Sequence, residues 1–219
     1  MQICDLSKEN SIVNQFMAEL RDADYQRNRL LFRNNIMRIG EMMAYEISKK
    51  LDYAARDITT PLGTSRINLP ADDIVLATIL RAGLPFHTGF LNVFDHAGNA
   101  FVSAYREYTD DSHTEVGIHV EYLATPDLGG KTLIIADPML ATGGSMELGY
   151  KAFLTHGTPK RIHVACVIAA PDGIEHVKNS LPADRTTVWC SAIDPALNEH
   201  KYIVPGFGDA GDLCYGGKM

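Results

Sequence analysis

The chain reads as an α/β protein with a central, mostly parallel five-stranded sheet flanked by helices. Short, continuous apolar runs recur at Ile74–Leu80, Ala100–Tyr105, Thr132–Ala136, Ile162–Ile168 and Thr186–Cys190. Between them lie segments suited to helices, near Leu84–Phe94, Ser145–His156 and Ile174–Asn179. A run that is apolar at every position belongs to a strand covered on both faces, as in a parallel sheet between helical layers.

Taken in order, the chain begins with a segment, residues 1–60, that reads as helical. Within it, Arg27–Leu51 carries Leu30, Leu31, Ile36, Met37, Ile39, Met42, Met43 and Ile47 near helical spacing. Asn34 and Gly40 weaken this helix slightly, and Thr59-Thr60-Pro61-Leu62-Gly63 breaks the pattern. The methionines suit core or subunit packing, and this helix points to a homodimer or homotetramer. Strands and helices then alternate, so crossovers are expected to be right-handed. Ligands of such sheets bind beyond the carboxyl ends of the strands. Arg81, Arg106, Asp137 and Asp194 all sit just past expected strand ends. Arg106–Pro126 is rich in Thr, Asp, His and Glu. It reads equally as a flexible arm acting as a lid or as a solvated excursion.

Bulk properties narrow the function. A length of 219 residues suits a single domain spanning 1–219. The net charge of −7 removes the basic footprint of a nucleic-acid binder, but not a small anionic ligand held by a few arginines and N–H groups. Cys4, Cys166, Cys190 and Cys214 form no CxxC pair, so metal-ligand spacing is missing. Cys166 and Cys190 lie in apolar runs and read as buried, reduced thiols. The first residues, MQICDLSKENS, do not read as a signal peptide, and no apolar run is long enough for a membrane span. The cytoplasm is the expected location.

Two familiar patterns fail on context. Gly206–Gly211 spells GxGxxG, but only eight residues follow, too few for a dinucleotide-binding unit. Gly130-Lys131-Thr132 resembles the end of a P-loop, yet Thr125 stands where a glycine is needed and the triplet precedes a strand. The eight histidines show no metal-binding spacing, and GxSxG is absent.

The segment that carries chemistry is Ile134–Ser145: an apolar strand, an acid at its end, then small residues entering a helix. Gly143 and Gly144 permit close backbone approach, and the opening N–H groups of a helix favour an anion. Thr142 and Ser145 add hydroxyl donors, while Asp137 suits sugar hydroxyls or a metal-bound water. From the residues alone, a phosphate cradle stands level with an ordinary turn in which Ser145 caps the helix.

The stretch Asp137–Ser145, DPMLATGGS, resembles the phosphoribosyl-pyrophosphate (PRPP) loop of the uracil phosphoribosyltransferase family. Ile79–Leu84, Tyr105-Arg106 and Ala169–Ile174 agree in order, and Asn198–Asp212, NEHKYIVPGFGDAGD, resembles that family's uracil-binding segment. The resemblance runs from about Arg21 to Gly216. It implies a type I phosphoribosyltransferase fold with a small hood, built from residues 1–60 and 194–219, and a flexible β-arm. It implies that Arg81 and Arg106 contact the donor pyrophosphate and that Asp137 faces the ribose hydroxyls. Pro138, Met139 and Leu140 continue the donor loop, and Ala141, Thr142, Gly143, Gly144 and Ser145 cradle the 5-phosphate. Ile203, Gly208 and Ala210 would read uracil through main-chain groups. Asp209 lies at the donor–base junction and, with Arg106, is the expected catalytic residue. Mg2+ is the implied cofactor, held chiefly by substrate and water, since Pro138 stands where related enzymes carry a second acid. PRPP and uracil are the implied partners, alongside a nucleotide effector such as GTP. No nucleic acid or membrane is expected. The fold leaves two alternatives, an RNA-binding attenuation regulator and a transferase for another base. The acidic charge weighs against the first and the C-terminal segment against both.

Overall fold

The structure, a computed structural model, describes residues 1–108 and 116–217, with the side chains of 104–120 outside that description. All five expected strands are present, as β4 (Ile74–Ile79), β5 (Gly98–Tyr108), β7 (Thr132–Ala136), β9 (Arg161–Ala169) and β10 (Thr186–Ile193). β4 and β7 are buried at every position, and β9 at every position but its first, as continuous apolar runs require.

Three more strands join the sheet, β1 (Gln2–Asp5), β6 (Val116–Ala124) and the short β8 (Met139–Leu140). The order is β1-β10-β9-β7-β4-β5-β6, with β8 added on β9. Pairing is parallel except for β5 with β6, the hairpin whose tip, 109–115, lies outside the described residues.

Helices cover both faces. α1 (Val13–Arg21), α2 (Arg29–Ser48) and α3 (Gly83–Leu91) pack on one side, with Phe32, Phe86, Phe90 and Trp189 in their core. α4 (Gly144–Phe153) and α5 (Pro171–Ser180) cover the other, over Leu133, Ile135, Val164 and Cys166. Cys166 and Cys190 are indeed buried, free thiols. No helix among the described residues is long and apolar enough to cross a membrane.

The expectation of helix throughout residues 1–60 is corrected at both ends. Gln2–Asp5 is an edge strand paired with β10, too short to carry a pattern of its own. Tyr53–Thr60 is β2, which forms a hairpin with β3 (Gly63–Pro70). Every residue of β2 is exposed, so burial imposes no alternation on its sequence. The break expected at Thr59–Gly63 is the hairpin's turn.

α2 itself follows the expected spacing. Asn28 caps it, its Oδ1 accepting the N–H groups of Leu30 and Leu31 at 3.1 and 3.2 Å. Phe32, Ile36, Ile39, Met43 and Ile47 form its buried stripe, whereas Leu30 is exposed. Gly40, which weakens the helix as a sequence, is where α2 meets α3. A Cβ there would stand 2.6 Å from the Phe86 carbonyl oxygen, and one at Gly89 would collide with the Met37 carbonyl oxygen. The two helices touch backbone to backbone. Gly89→Ala is therefore expected to cost about 1–3 kcal/mol through overpacking. Urea unfolding measures this, and an unchanged midpoint at unchanged slope would contradict the close crossing.

Candidate active site

β4 and β7 are parallel neighbours, with Thr78 opposite Ala136. Their carboxyl ends therefore deliver Leu80-Arg81 and Asp137 to the same edge. The Asp137 turn is fastened onto β9. The Asp137 N–H donates to the Ala165 carbonyl at 3.0 Å, and the Pro138 carbonyl accepts from Val167 and Ile168 at 2.9 and 3.0 Å. β8 then pairs with Ile168 and Ala169.

α4 opens on Gly143, whose φ of 82° lies in the left-handed region. No side chain caps this helix. Ser145 is exposed at the cavity wall instead, so the ordinary-turn reading, which needs Ser145 as a cap, does not describe this site. The Thr142 hydroxyl offers only a long contact, 3.5 Å, to the Gly144 N–H. The start of α4 thus lacks a side-chain cap and borders the cavity at Gly143 and Ser145, an arrangement that suits an anion.

The C-terminal segment closes the other side. α6 (Ala210–Tyr215) is capped by Asp209, whose carboxylate accepts the Asp212 N–H at 2.9 Å. Arg81 reaches toward it, donating to the Asp212 carboxylate at 3.0 Å and to the Gly216 carbonyl at 3.3 Å. The turn at 205–209 hangs on a small ladder of β11 (Ala196–Leu197) and β12 (Ile203–Val204). The Leu80–Arg81 and Val204–Pro205 peptide bonds are both cis.

A cavity of about 270 Å³ results, lined by Arg81, Asp137, Met139, Leu140, Ala141, Thr142, Gly143, Ser145 and Asp209 among the expected residues. Ile79, Leu80, Ala82, Met146 and Gly211 complete it. Pro138 and Gly144 are buried in the turn beneath. Ile203, Gly208 and Ala210 flank the Asp209 turn without lining this cavity. The backbone of Arg106 lies on β5, and its side chain falls outside the described residues. Phe207 packs edge-on against Phe32 at 5.7 Å, a core contact. A wider groove of about 740 Å³, between β1 and the end of α2, contains no residue of either motif.

The sequence reading gave no role to two residues behind the turn at 205–209. Asp194, just past β10, is 4% exposed and pairs with Arg21 at the end of α1. Its position past a strand end was a usable signal, whereas nothing in the sequence connects it to Arg21. Asp212, the partner of Arg81, lay inside the recognised C-terminal motif but had no role assigned.

A parallel sheet that ends in an uncapped, glycine-opened helix beside an arginine defines an α/β protein built to hold a phosphorylated small molecule. A family profile described as "Uracil phosphoribosyltransferase" matches residues 7–217. Uracil phosphoribosyltransferase of Porphyromonas gingivalis is 57% identical over 219 residues, covering 100% of both chains. That of Pyrococcus furiosus is 35% identical over 212 residues, covering 95% of this chain and 88% of its own. The solved AQ2163 protein of Aquifex aeolicus superposes with a TM-score of 0.84 at 29% identity, covering 98% of both chains. The chain belongs to the uracil phosphoribosyltransferase family.

Burial pushes the Asp137 carboxyl up to about 7, with the Met139 N–H pulling weakly the other way. A folded-state value above the unfolded one, 3.8, means that the contribution of this group to stability is most favourable in acid and falls as pH rises from about 4 through 7. Asp137→Asn removes that penalty. It is expected to raise Tm more at pH 8 than at pH 5, each relative to wild type. Equal shifts at the two values would mean that the carboxyl titrates normally.

Proposed function

We propose that this protein transfers the 5-phosphoribosyl group of PRPP to N1 of uracil, giving uridine monophosphate and pyrophosphate. One observation carries the proposal. The Asp137–Ser145 turn, Arg81 and the C-terminal Asp209 and Gly211 share one cavity within a single chain.

In this reading the uncapped start of α4, with Thr142 and Ser145, holds the 5-phosphate. Asp137 accepts from the ribose hydroxyls, a role that favours its ionised form and draws its proton off as donor binds. Arg81 exchanges Asp212 and the Gly216 carbonyl for pyrophosphate oxygens, and Arg106 joins it from β5. The bond from the anomeric carbon to pyrophosphate breaks as the bond to N1 forms, and the N1 proton passes to the departing pyrophosphate or to water. The transition state has oxocarbenium character, so the chain's contribution is positioning and stabilisation of the departing anion. Asp209 stands where donor and base meet.

Main-chain groups of Ile203, Gly208 and Ala210 read the acceptor–donor–acceptor edge of uracil. Cytosine replaces a carbonyl with an amino group and leaves that set mismatched, a stronger discrimination than apolar bulk gives. Magnesium, when bound, supplies positive charge to the pyrophosphate oxygens. It would be held chiefly by substrate oxygens and water, since the described residues hold no cluster of three or more His, Cys, Asp or Glu that could bind a metal, and a hard cation keeps several waters.

A homodimer or homotetramer in the cytoplasm belongs to the same reading. The exposed β2–β3 hairpin supports an assembly: Leu62 at its turn is fully exposed, and Tyr53, Ile58 and Ile67 are exposed along its strands. An isolated two-stranded hairpin is marginal in water until something covers it. GTP as an effector is tested by adding it to the assay below.

Purified protein given PRPP, Mg2+ and a panel of bases is expected to yield uridine monophosphate from uracil and little product from cytosine, orotate or purines. No nucleotide product, or preference for another base, would overturn the assignment. Asp209→Asn preserves the cap of α6, since Asn caps as well as Asp. It is expected to lower kcat by about 100-fold or more while Tm changes little. Arg81→Ala and Arg106→Ala are each expected to raise the KM for PRPP by about tenfold or more, with a smaller effect on uracil. Wild-type kinetics in all three variants would refute the site.

A further inference from the structure

We infer that Arg21 and Asp194 are positioning residues for the base: their ion pair grips both main-chain groups of Gly206 and sets the turn that would read uracil. This rests on the uracil reading and adds to it a specificity device outside the cavity.

Arg21 ends α1 and Asp194 follows β10, so the pair joins two elements 173 residues apart. The contact is a fork. Arg21 Nη1 donates to Asp194 Oδ2 at 2.8 Å and Nη2 to Oδ1 at 2.6 Å. Each partner also takes one side of Gly206. Asp194 Oδ2 accepts the Gly206 N–H at 2.8 Å, and Arg21 Nη1 donates to the Gly206 carbonyl at 3.1 Å. Burial alone would push the Asp194 carboxyl up. The Arg21 and Gly206 bonds outweigh burial and hold it below its ordinary value.

Gly206 is the point where this grip has most leverage. Its φ is 56°, and a Cβ there would strike the Ile203 carbonyl oxygen. Among the described residues, the hydrogen bonds of Pro205–Gly208 all run through Gly206. Upstream lies the short ladder at Ile203–Val204, and downstream the Asp209 cap of α6. Gly208 is exposed, with its main chain left to a ligand. The N-terminal segment also approaches this turn. Gln26 donates to the Leu20 carbonyl at 3.3 Å, and its Oε1 lies 3.9 Å from where a Gly208 Cβ would stand. The orientation of the base-reading groups is thus set by an ion pair that touches neither substrate. A fork of this kind holds orientation as well as position, which a single point charge cannot do.

The test separates positioning from mere support of the fold. Wild type, Arg21→Gln, Asp194→Asn and Arg21→Lys are compared by steady-state kinetics with uracil and PRPP varied in turn, and by calorimetric titration with PRPP alone. Positioning predicts that the Gln and Asn variants raise the KM for uracil by about 10- to 100-fold. The KM and binding of PRPP should stay within about twofold, and Arg21→Lys should recover part of the loss. A purely structural role would lower Tm and leave uracil KM unchanged in the folded fraction. That result, or an equal rise in both KM values, overturns the proposal. If the Gln and Asn variants do not fold, Arg21→Lys decides by the same two constants. Absence of product from wild type would instead defeat the uracil reading itself.

Discussion

Parallel pairing of β4, β7, β9 and β10 brings their carboxyl ends to one edge, and the rest of the site depends on that geometry. Asp137 and Asp194 follow their strands directly and Arg81 lies two residues past its own, so sheet register sets their spacing. The sheet is rigid because continuous apolar runs bury it from both sides. Polar groups can then stand beyond the strand ends without disturbing the core.

Two kinds of loop use this edge differently. The Asp137 turn is bound into the sheet by main-chain hydrogen bonds to β9, so its shape is nearly part of the sheet. The turn at 205–209 has little backbone support of its own. It borrows rigidity from Arg21 and Asp194, from the Phe207–Phe32 contact and from the Asp209 cap. The proposed pocket, with a multiply charged donor beside a nearly flat, neutral base, would need both. The charged ligand can pay for some ordering as it binds, whereas the small base offers few contacts and gains most from a preorganised frame.

Charge in the cavity is arranged in the same spirit. Arg81 is already engaged by Asp212, so an anion must exchange with a carboxylate to reach it. Burial opposes the charge of Asp137 and pushes its carboxyl up to about 7. One group is restrained by a partner, Asp212, and the other by burial.

Much of this was legible in the sequence. Continuous apolar runs identified all five central strands, because burial on both faces leaves an unambiguous pattern. DPMLATGGS marks most of one cavity wall, and the NEHKYIVPGFGDAGD segment brings Asp209 and Gly211 to it, since local chemistry at a strand end or tight turn restricts residue choice. Other features had no local signature. The β1 strand is four residues long, and the β2–β3 hairpin is too exposed to alternate. Gly40 looked like a flaw in a helix, yet it is a contact surface for Gly89, a role that requires α3 beside it. Arg21 and Asp194 are 173 positions apart, and only the packed sheet and helices make them partners. The sequence alone determined which segments are strands and which turns carry chemistry, because periodicity and turn composition act over a few neighbouring residues. Tertiary structure decided which distant side chains hold those turns in place, because a long-range ion pair leaves no spacing in the chain to read.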